Sequence, residues 1–214
     1  MRGETPLIDR ETCQPYLVLV LFSGVAVILS IPTARTVMGF GTFSLLSGIP
    51  IFFYVHILFT GILGLSVGAA SAQRYEAGAT LISRQLVRVL LAQILMLPYF
   101  VFQWALHPNR GIALVLILTY VTLFGWLCAV AAHLIERPRG PSGSYGFLLK
   151  YALFGIYTFA TLGLHRVLSP IGMTISLLEG DGWSEYSLGF AVPAVLLALI
   201  SLPILRQKVR VQRV

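Results

Sequence analysis

The chain has 214 residues, 57% of them hydrophobic and 11% charged, a balance that excludes an ordinary soluble domain and a disordered chain. Its 15 Lys and Arg against 8 Asp and Glu give a formal charge of +7; in so apolar a chain this reads as basic loops held against anionic lipid headgroups, not as a nucleic-acid surface. Two cysteines, Cys13 and Cys128, exclude a disulfide framework, and alone they build neither a zinc site nor an iron–sulfur cluster.

A bilayer core about 30 Å thick is crossed by roughly 20 apolar residues in a helix. Six runs meet or approach that length: 16–31, 48–69, 87–106, 111–135, 147–165 and 188–205, the first short and the fifth modest. Their apolar residues fall on every face instead of alternating, which fits helices and not the strands of a closed barrel. The fold class expected is all-α, a single polytopic membrane domain over 1–214 with six transmembrane helices.

Orientation follows from the basic residues. Arg2, Arg10, Arg74, Arg84, Arg88, Arg137, Arg139, Lys150, Arg206, Lys208, Arg210 and Arg213 fall on one side of such a six-span chain, and only Arg35, Arg110 and Arg166 on the other. That asymmetry places both termini in the cytoplasm. The rival reading of the first run is a cleaved signal peptide, with Pro32-Thr33-Ala34 after a short apolar stretch. Glu4, Asp9 and Glu11 ahead of it argue for a retained span, because a signal's leading region is simply basic.

The connections differ in character. His107-Pro108-Asn109-Arg110 is a tight turn that makes the third and fourth helices antiparallel neighbours, whereas Glu136 to Gly146 is punctuated by Pro and Gly and is irregular. After Ser169-Pro170, Ile171, Ile175 and Leu178 recur at helical spacing and predict a short amphipathic helix lying at the interface or dipping into it. Between the second and third helices, Gln73-Arg74-Tyr75-Glu76 leads through Gly78, Thr80 and Ser83 to Arg84. A short charged segment pinned between two membrane helices is either a solvated positive-inside loop or a docking surface for a soluble partner.

At this segment the chain resembles the ABC-2-type transporter permease family, whose members have six helices and cytoplasmic termini. In that family a Glu or Arg cluster, Gly-Thr, an apolar stretch and a Ser-Arg-like entry follow the second helix. Arg74, Glu76, Gly78, Thr80, Leu81, Ser83 and Arg84 look like a shortened version, with Ala79 separating the Gly from the Thr. Family members also place an Asn-Pro or Ser-Pro and a short apolar helix before the last span, an outline similar to Ser169-Pro170 with its apolar followers, and the ending Leu205-Arg206-Gln207-Lys208 is similarly basic.

The resemblance implies the permease subunit of an ATP-driven exporter in a cytoplasmic (inner) membrane, moving a lipid-like or bulky amphipathic substrate. It implies a separate ABC ATPase subunit docked on Gln73, Arg74, Tyr75, Glu76, Thr80 and Arg84, and a second permease, identical or not. The chain carries no Gly-x-x-x-x-Gly-Lys-Ser/Thr loop, so ATP and magnesium are expected on the partner subunit, with no cofactor bound directly here and no catalytic site.

Other residues invite specific readings. Gly61, Gly64 and Gly68 permit close backbone approach, either for packing within the chain or at a subunit interface. Pro98 removes a backbone hydrogen bond from the third helix, and the aromatics beside it, including Tyr99 and Phe102, read as an interfacial belt or as the lining of a translocation path. Among four histidines, His56 and His165 are the pair for a bis-histidine haem, which gives the competing reading: a haem-binding or non-catalytic membrane anchor subunit of a redox complex. Their unequal depths argue against it. Gly140-Pro141-Ser142-Gly143 is similar to the Gly-x-Ser-Gly of rhomboid proteases, but Ser142 falls in an Arg- and Pro-rich loop and not in a membrane pocket. Away from their ends the six runs contain essentially no charged residue, which disfavours an ion-coupled carrier.

Overall fold

The computed structural model describes residues 10–30, 51–73, 78–106, 108–137, 144–180 and 183–206, and these are helical, with no strand among them. Helix α1 is Arg10–Ser30, α2 Ile51–Gln73, α3 Ala79–Leu106 and α4 Gly111–Glu136. A fifth helical segment starts as α5, Ser144–Gly155, passes through a π-helical turn at Ile156–Ala160 and ends as α6, Thr161–Leu164. A 3₁₀ turn at Arg166–Leu168, the short helix α7 (Pro170–Glu179) and α8 (Trp183–Arg206) complete the order.

Local chemistry sets the boundaries. Gly78, at φ +75°, makes the left-handed turn from which α3 starts, a conformation strained for a residue with a Cβ. The 3₁₀ turn Pro108–Arg110 joins α3 to α4 directly. Pro170 opens α7, where a missing N–H costs nothing, and Gly180, at φ +84°, closes it with its N–H donating to the Ser176 carbonyl at 3.0 Å.

Five stretches are long and apolar enough to cross a membrane: Cys13–Ser30, Ile51–Gln73, Ala79–Leu106, Pro108–Glu136 and Ser184–Arg206. The run 147–165 differs from the other predicted spans. Its apolar part, Leu148–Phe159, lies within a helix that changes its hydrogen-bond register at the π-turn. We call the end of the bundle where α1 and α3 begin the proximal end, and the opposite one the distal end.

The most extensive packing between helices is that of α2 on α4. Gly64 meets Gly125, and Gly68 meets Ala129, so the two helices run parallel with one constant offset. Phe52, Phe53, Ile57 and Leu63 of α2 join Ile117, Tyr120, Val121 and Phe124 of α4 in the core, with α1, α3 and α7 packed around them. The outward faces carry Leu17, Leu21 and Val25 on α1, Ile94 and Val101 on α3, Leu148 and Ile156 on the broken helix, and Val195, Leu199 and Leu202 on α8, all exposed. A helical surface this apolar, with polar residues turned inward, is stable only with hydrocarbon around it.

Candidate functional site

Three of the predicted docking residues, Arg74, Tyr75 and Glu76, lie outside the described residues, as does Ser142 with its tetrapeptide. The others bracket the α2–α3 connection at the proximal end: Gln73 is exposed as the last residue of α2, and Thr80 and Arg84 are exposed in the first two turns of α3. The Ser83 hydroxyl donates to the Thr80 carbonyl at 3.1 Å.

Arg88, one turn on, faces inward and is 2% exposed. Its Nη1 donates to Ser71 Oγ at 3.1 Å, and its backbone carbonyl accepts the Tyr16 hydroxyl at 2.6 Å, which ties α1, α2 and α3 together. The sequence reading counted Arg88 only among the basic residues of one side, and the structure turns it into the bundle. Hydropathy marks only where the apolar run begins, whereas α3 starts at Ala79 and carries its polar first turns, and then Arg88, into the bundle.

The inward face of α3 continues this polar stripe through Gln85, Gln93 and Gln103, all buried. His56 Nε2–H donates to Gln93 Oε1 at 2.9 Å, and Gln93 Nε2 donates to Thr60 Oγ1 at 3.4 Å. Phe52 stacks on the His56 ring at 5.6 Å and Phe100 meets it edge-on at 5.1 Å. His165 is exposed at the distal end, so the two histidines considered for a haem do not share an environment. The glutamines stand in plain view inside an apolar run of the sequence, and Gln93 and Arg88 are the site residues that sequence reasoning missed.

The structure uses the three glycines inside the chain. A Cβ on Gly64 would stand 3.0 Å from Cys128 Cβ and run into the Gly125 carbonyl oxygen; one on Gly68 would stand 2.8 Å from Ala132 Cβ and run into that of Ala129. Gly61 faces Phe124 and Phe154. Tyr99 is half-buried, its hydroxyl donating to the Val20 carbonyl at 3.2 Å, while Phe102 is exposed on the outer surface, so the two do not line one path.

At the proximal end, Lys150 of α5 donates to Glu136 of α4 in a largely buried ion pair. At the distal end the chain doubles back. Ser169 Oγ donates to the Thr158 carbonyl at 2.6 Å, holding the start of α7 against the π-turn, and Arg166 pairs with Glu179, joining the residues on either side of the hairpin. Helix α7 has 10 residues, about 15 Å, half of a bilayer core. It is buried on every side from Pro170 to Leu178, including Thr174 and Ser176, and Met173 fills the space above Gly189 of α8. The predicted short helix, expected to lie at the interface or dip into it, is enclosed by protein on every side instead of showing one polar face: its polar residues are small, and Thr174 Oγ1 satisfies itself on the Pro170 carbonyl.

A lateral groove runs between α3 and α4. Two adjoining cavities of about 430 and 420 Å³ share Leu97 and Leu118; the distal one is walled by Phe100, Trp104 and Ile112, and the proximal one by Leu86, Trp126, Thr119 and Thr122, with Gln93 on its floor. Among the described residues no three His, Cys, Asp or Glu side chains come close enough to hold a metal ion.

These features define a multi-pass helical membrane protein with a buried polar stripe and a short buried helix at its distal end. No protein-family model, curated protein or solved structure matches the chain.

Proposed function

We propose that the chain is the permease subunit of an ATP-driven exporter of the ABC-2 type, moving a lipid-like or bulky amphipathic substrate. The observation that carries this reading is α7, a short, fully buried helix introduced by Ser169-Pro170 and followed by the final span. It agrees with the expected arrangement ahead of the last helix of such permeases. In this reading the broken helix from Ser144 to Leu164, roughly 30 Å long at 1.5 Å per residue, is the sixth span, and both termini are cytoplasmic. The proximal end then faces the cytoplasm, with Gln73, Thr80 and Arg84 exposed beside the connection an ATPase subunit would press. ATP and magnesium reside on that subunit, and a second permease completes the transporter in an inner membrane.

Mechanically, a push on the start of α3 is carried inward by Arg88, which links that helix to α1 and α2. Partner closure shifts the bundle between two arrangements only if the partner binds them unequally. The groove between α3 and α4 supplies an apolar seat for a substrate chain, with the Gln93 amide on its floor.

The experiment is a mild-detergent pull-down of the tagged chain from its native membrane, with an ATPase assay and a visible spectrum of the same sample. A stoichiometric Walker-A subunit, with hydrolysis lost on Arg84→Glu and Glu76→Ala at unchanged expression, is the expected result. A Soret band without an ATPase would replace this reading with the redox-anchor one.

A further inference from the structure

The groove between α3 and α4 opens sideways onto the apolar outer surface: Leu90, Ile94 and Leu97 on one wall and Ile112 and Val115 on the other are exposed. A tryptophan marks each end. At the distal end the Trp104 ring lies against Gly111, where a Cβ would stand 3.2 Å from the indole nitrogen. At the proximal end Trp126 Nε1–H donates to the Ile82 carbonyl at 3.2 Å and ties α4 to α3. The two cavities, about 430 and 420 Å³, each fall in the range of roughly 300–1,000 Å³ usual for small-molecule sites. Among the described residues no charged side chain lines either one.

The polar atoms of the groove are gathered in the proximal cavity, which Gln93 lines from α3 and Thr119 and Thr122 line from α4. Gln93 is 3% exposed. Its Oε1 accepts from His56 and one Nε2 hydrogen goes to Thr60, which leaves a second amide hydrogen to donate. The Thr119 and Thr122 hydroxyls donate to the Val115 and Leu118 carbonyls at 2.9 and 2.7 Å, so their oxygens keep lone pairs as acceptors. One cavity therefore offers both a donor and acceptors.

Gln93 lies near the middle of α3, about 20 Å from either end at 1.5 Å per residue, which puts it at mid-depth in a bilayer. A charge at that depth is expensive, and no water is at hand to satisfy a polar atom. A phospholipid laid in the groove keeps its headgroup at the interface and sets only methylenes beside Gln93. A hydroxyl instead accepts from the Gln93 amide and donates to a threonine oxygen. We propose that this groove binds an uncharged lipid alcohol, its hydroxyl held by Gln93 with Thr119 or Thr122 and its apolar body running past Leu97 and Leu118 into the distal cavity. As a ligand of the groove this molecule requires no partner subunit; as the cargo of an exporter it rests on the permease reading.

The test uses the full chain with Trp183→Phe, which keeps only Trp104 and Trp126 as indole fluorophores, both on the groove. Reconstituted in vesicles of one phosphatidylcholine, it is titrated with a dibrominated octadecanol, whose bromines quench indole on contact. Saturable quenching is expected, reversed by unlabelled octadecanol and not by octadecane. Thr119→Val with Thr122→Val, close in volume to the native pair and outside the His56 network, should weaken the alcohol about fivefold or more, the loss of one neutral hydrogen bond, and Ser at both positions should restore it. Gln93→Leu should act in the same direction. Equal displacement by octadecane, or an alcohol preference unchanged in both the threonine and the Gln93→Leu variants, would overturn the proposal and leave the groove to ordinary acyl chains. A pull-down without an ATPase would remove the cargo role and leave the quenching result standing.

Discussion

Placing Ala at Gly64 or Gly68 tests the parallel α2–α4 contact directly. Ordinary contact begins near 3.4 Å, and a methyl on Gly68 would meet Ala132 Cβ at 2.8 Å and the Ala129 carbonyl carbon at 2.9 Å. The obstacles are backbone and Cβ atoms, which have no rotamer to give, and the nearest is the Ala129 carbonyl oxygen, so the helices must part by about 1 Å. A gap of that size forfeits up to about half of the dispersion well along the seam, and overpacking of this kind costs about 1–3 kcal/mol. We expect each variant to lose about 2–3 kcal/mol. Because one shift of α2 relieves both clashes, the double variant should cost about 1 kcal/mol less than the sum. Gly155→Ala is the control: it is helical with nothing within 4 Å, so it should gain up to about 1 kcal/mol from propensity. The assay is denaturant unfolding of the full chain in one detergent, with its mass measured alongside. Gly64→Ala and Gly68→Ala within about 0.5 kcal/mol of wild type, a change of that size being ordinary for surface positions, would refute the reasoning. A change in association state at unchanged stability would move the glycines to a subunit interface.

Three further outcomes are expected. Gln93→Leu leaves His56 Nε2 and Thr60 without their partner and should cost about 1–3 kcal/mol, whereas His56→Leu with Gln93→Leu removes both ends and should cost less than Gln93→Leu alone in a double-mutant cycle. Single cysteines at Arg137 and His165 in a chain lacking native thiols should label from opposite sides of sealed vesicles with an impermeant maleimide; labelling from one side would exclude a span by the broken helix. Single cysteines replacing Arg166 and Glu179 should label from one common side, since the native ion pair shows that both positions lie together at the distal end. Amide exchange should be slowest in the glycine seam at Leu63–Val67 and faster around the π-turn at Ile156–Ala160; equal protection would mean that the π-turn does not divide the helix.

Long apolar runs were legible because five of them need no partner to be recognised: hydrocarbon surroundings make residues such as Leu17 and Val195 acceptable on an outer face. The fifth run was legible in composition but not in its geometry. No pattern in Gly155-Ile156-Tyr157-Thr158 announces a π-turn, because the extra residue is accommodated only when Ser169 arrives to bond the Thr158 carbonyl. Burial of α7 was hidden for a similar reason. Ile171, Ile175 and Leu178 suggest one apolar stripe, yet the intervening Gly172, Thr174 and Ser176 are small enough to be enclosed once α4 and α8 close over them. Arg88 was misread because charge near the start of an apolar run looks like an interfacial anchor, and only the long polar lead of α3 puts it inside.

The two halves of the bundle follow different construction rules, and the difference bears on movement. On the α2–α4 side, the helices are in backbone-to-backbone contact at two successive glycines, close enough that not even a methyl group fits between them. On the side of the broken helix, polar ties add to the packing of Phe154 and Tyr157 on Phe124: Lys150 with Glu136 at the proximal end and Ser169 with the Thr158 carbonyl towards the distal end. Under the permease reading, a partner pressing the proximal end would meet a close backbone seam between α2 and α4 and, on the other side of α4, a helix with an altered register. Under that reading, movement of the broken helix and α7 against the α2–α4 pair would leave the glycine seam intact, and would have to break the Lys150–Glu136 pair or carry its two residues together.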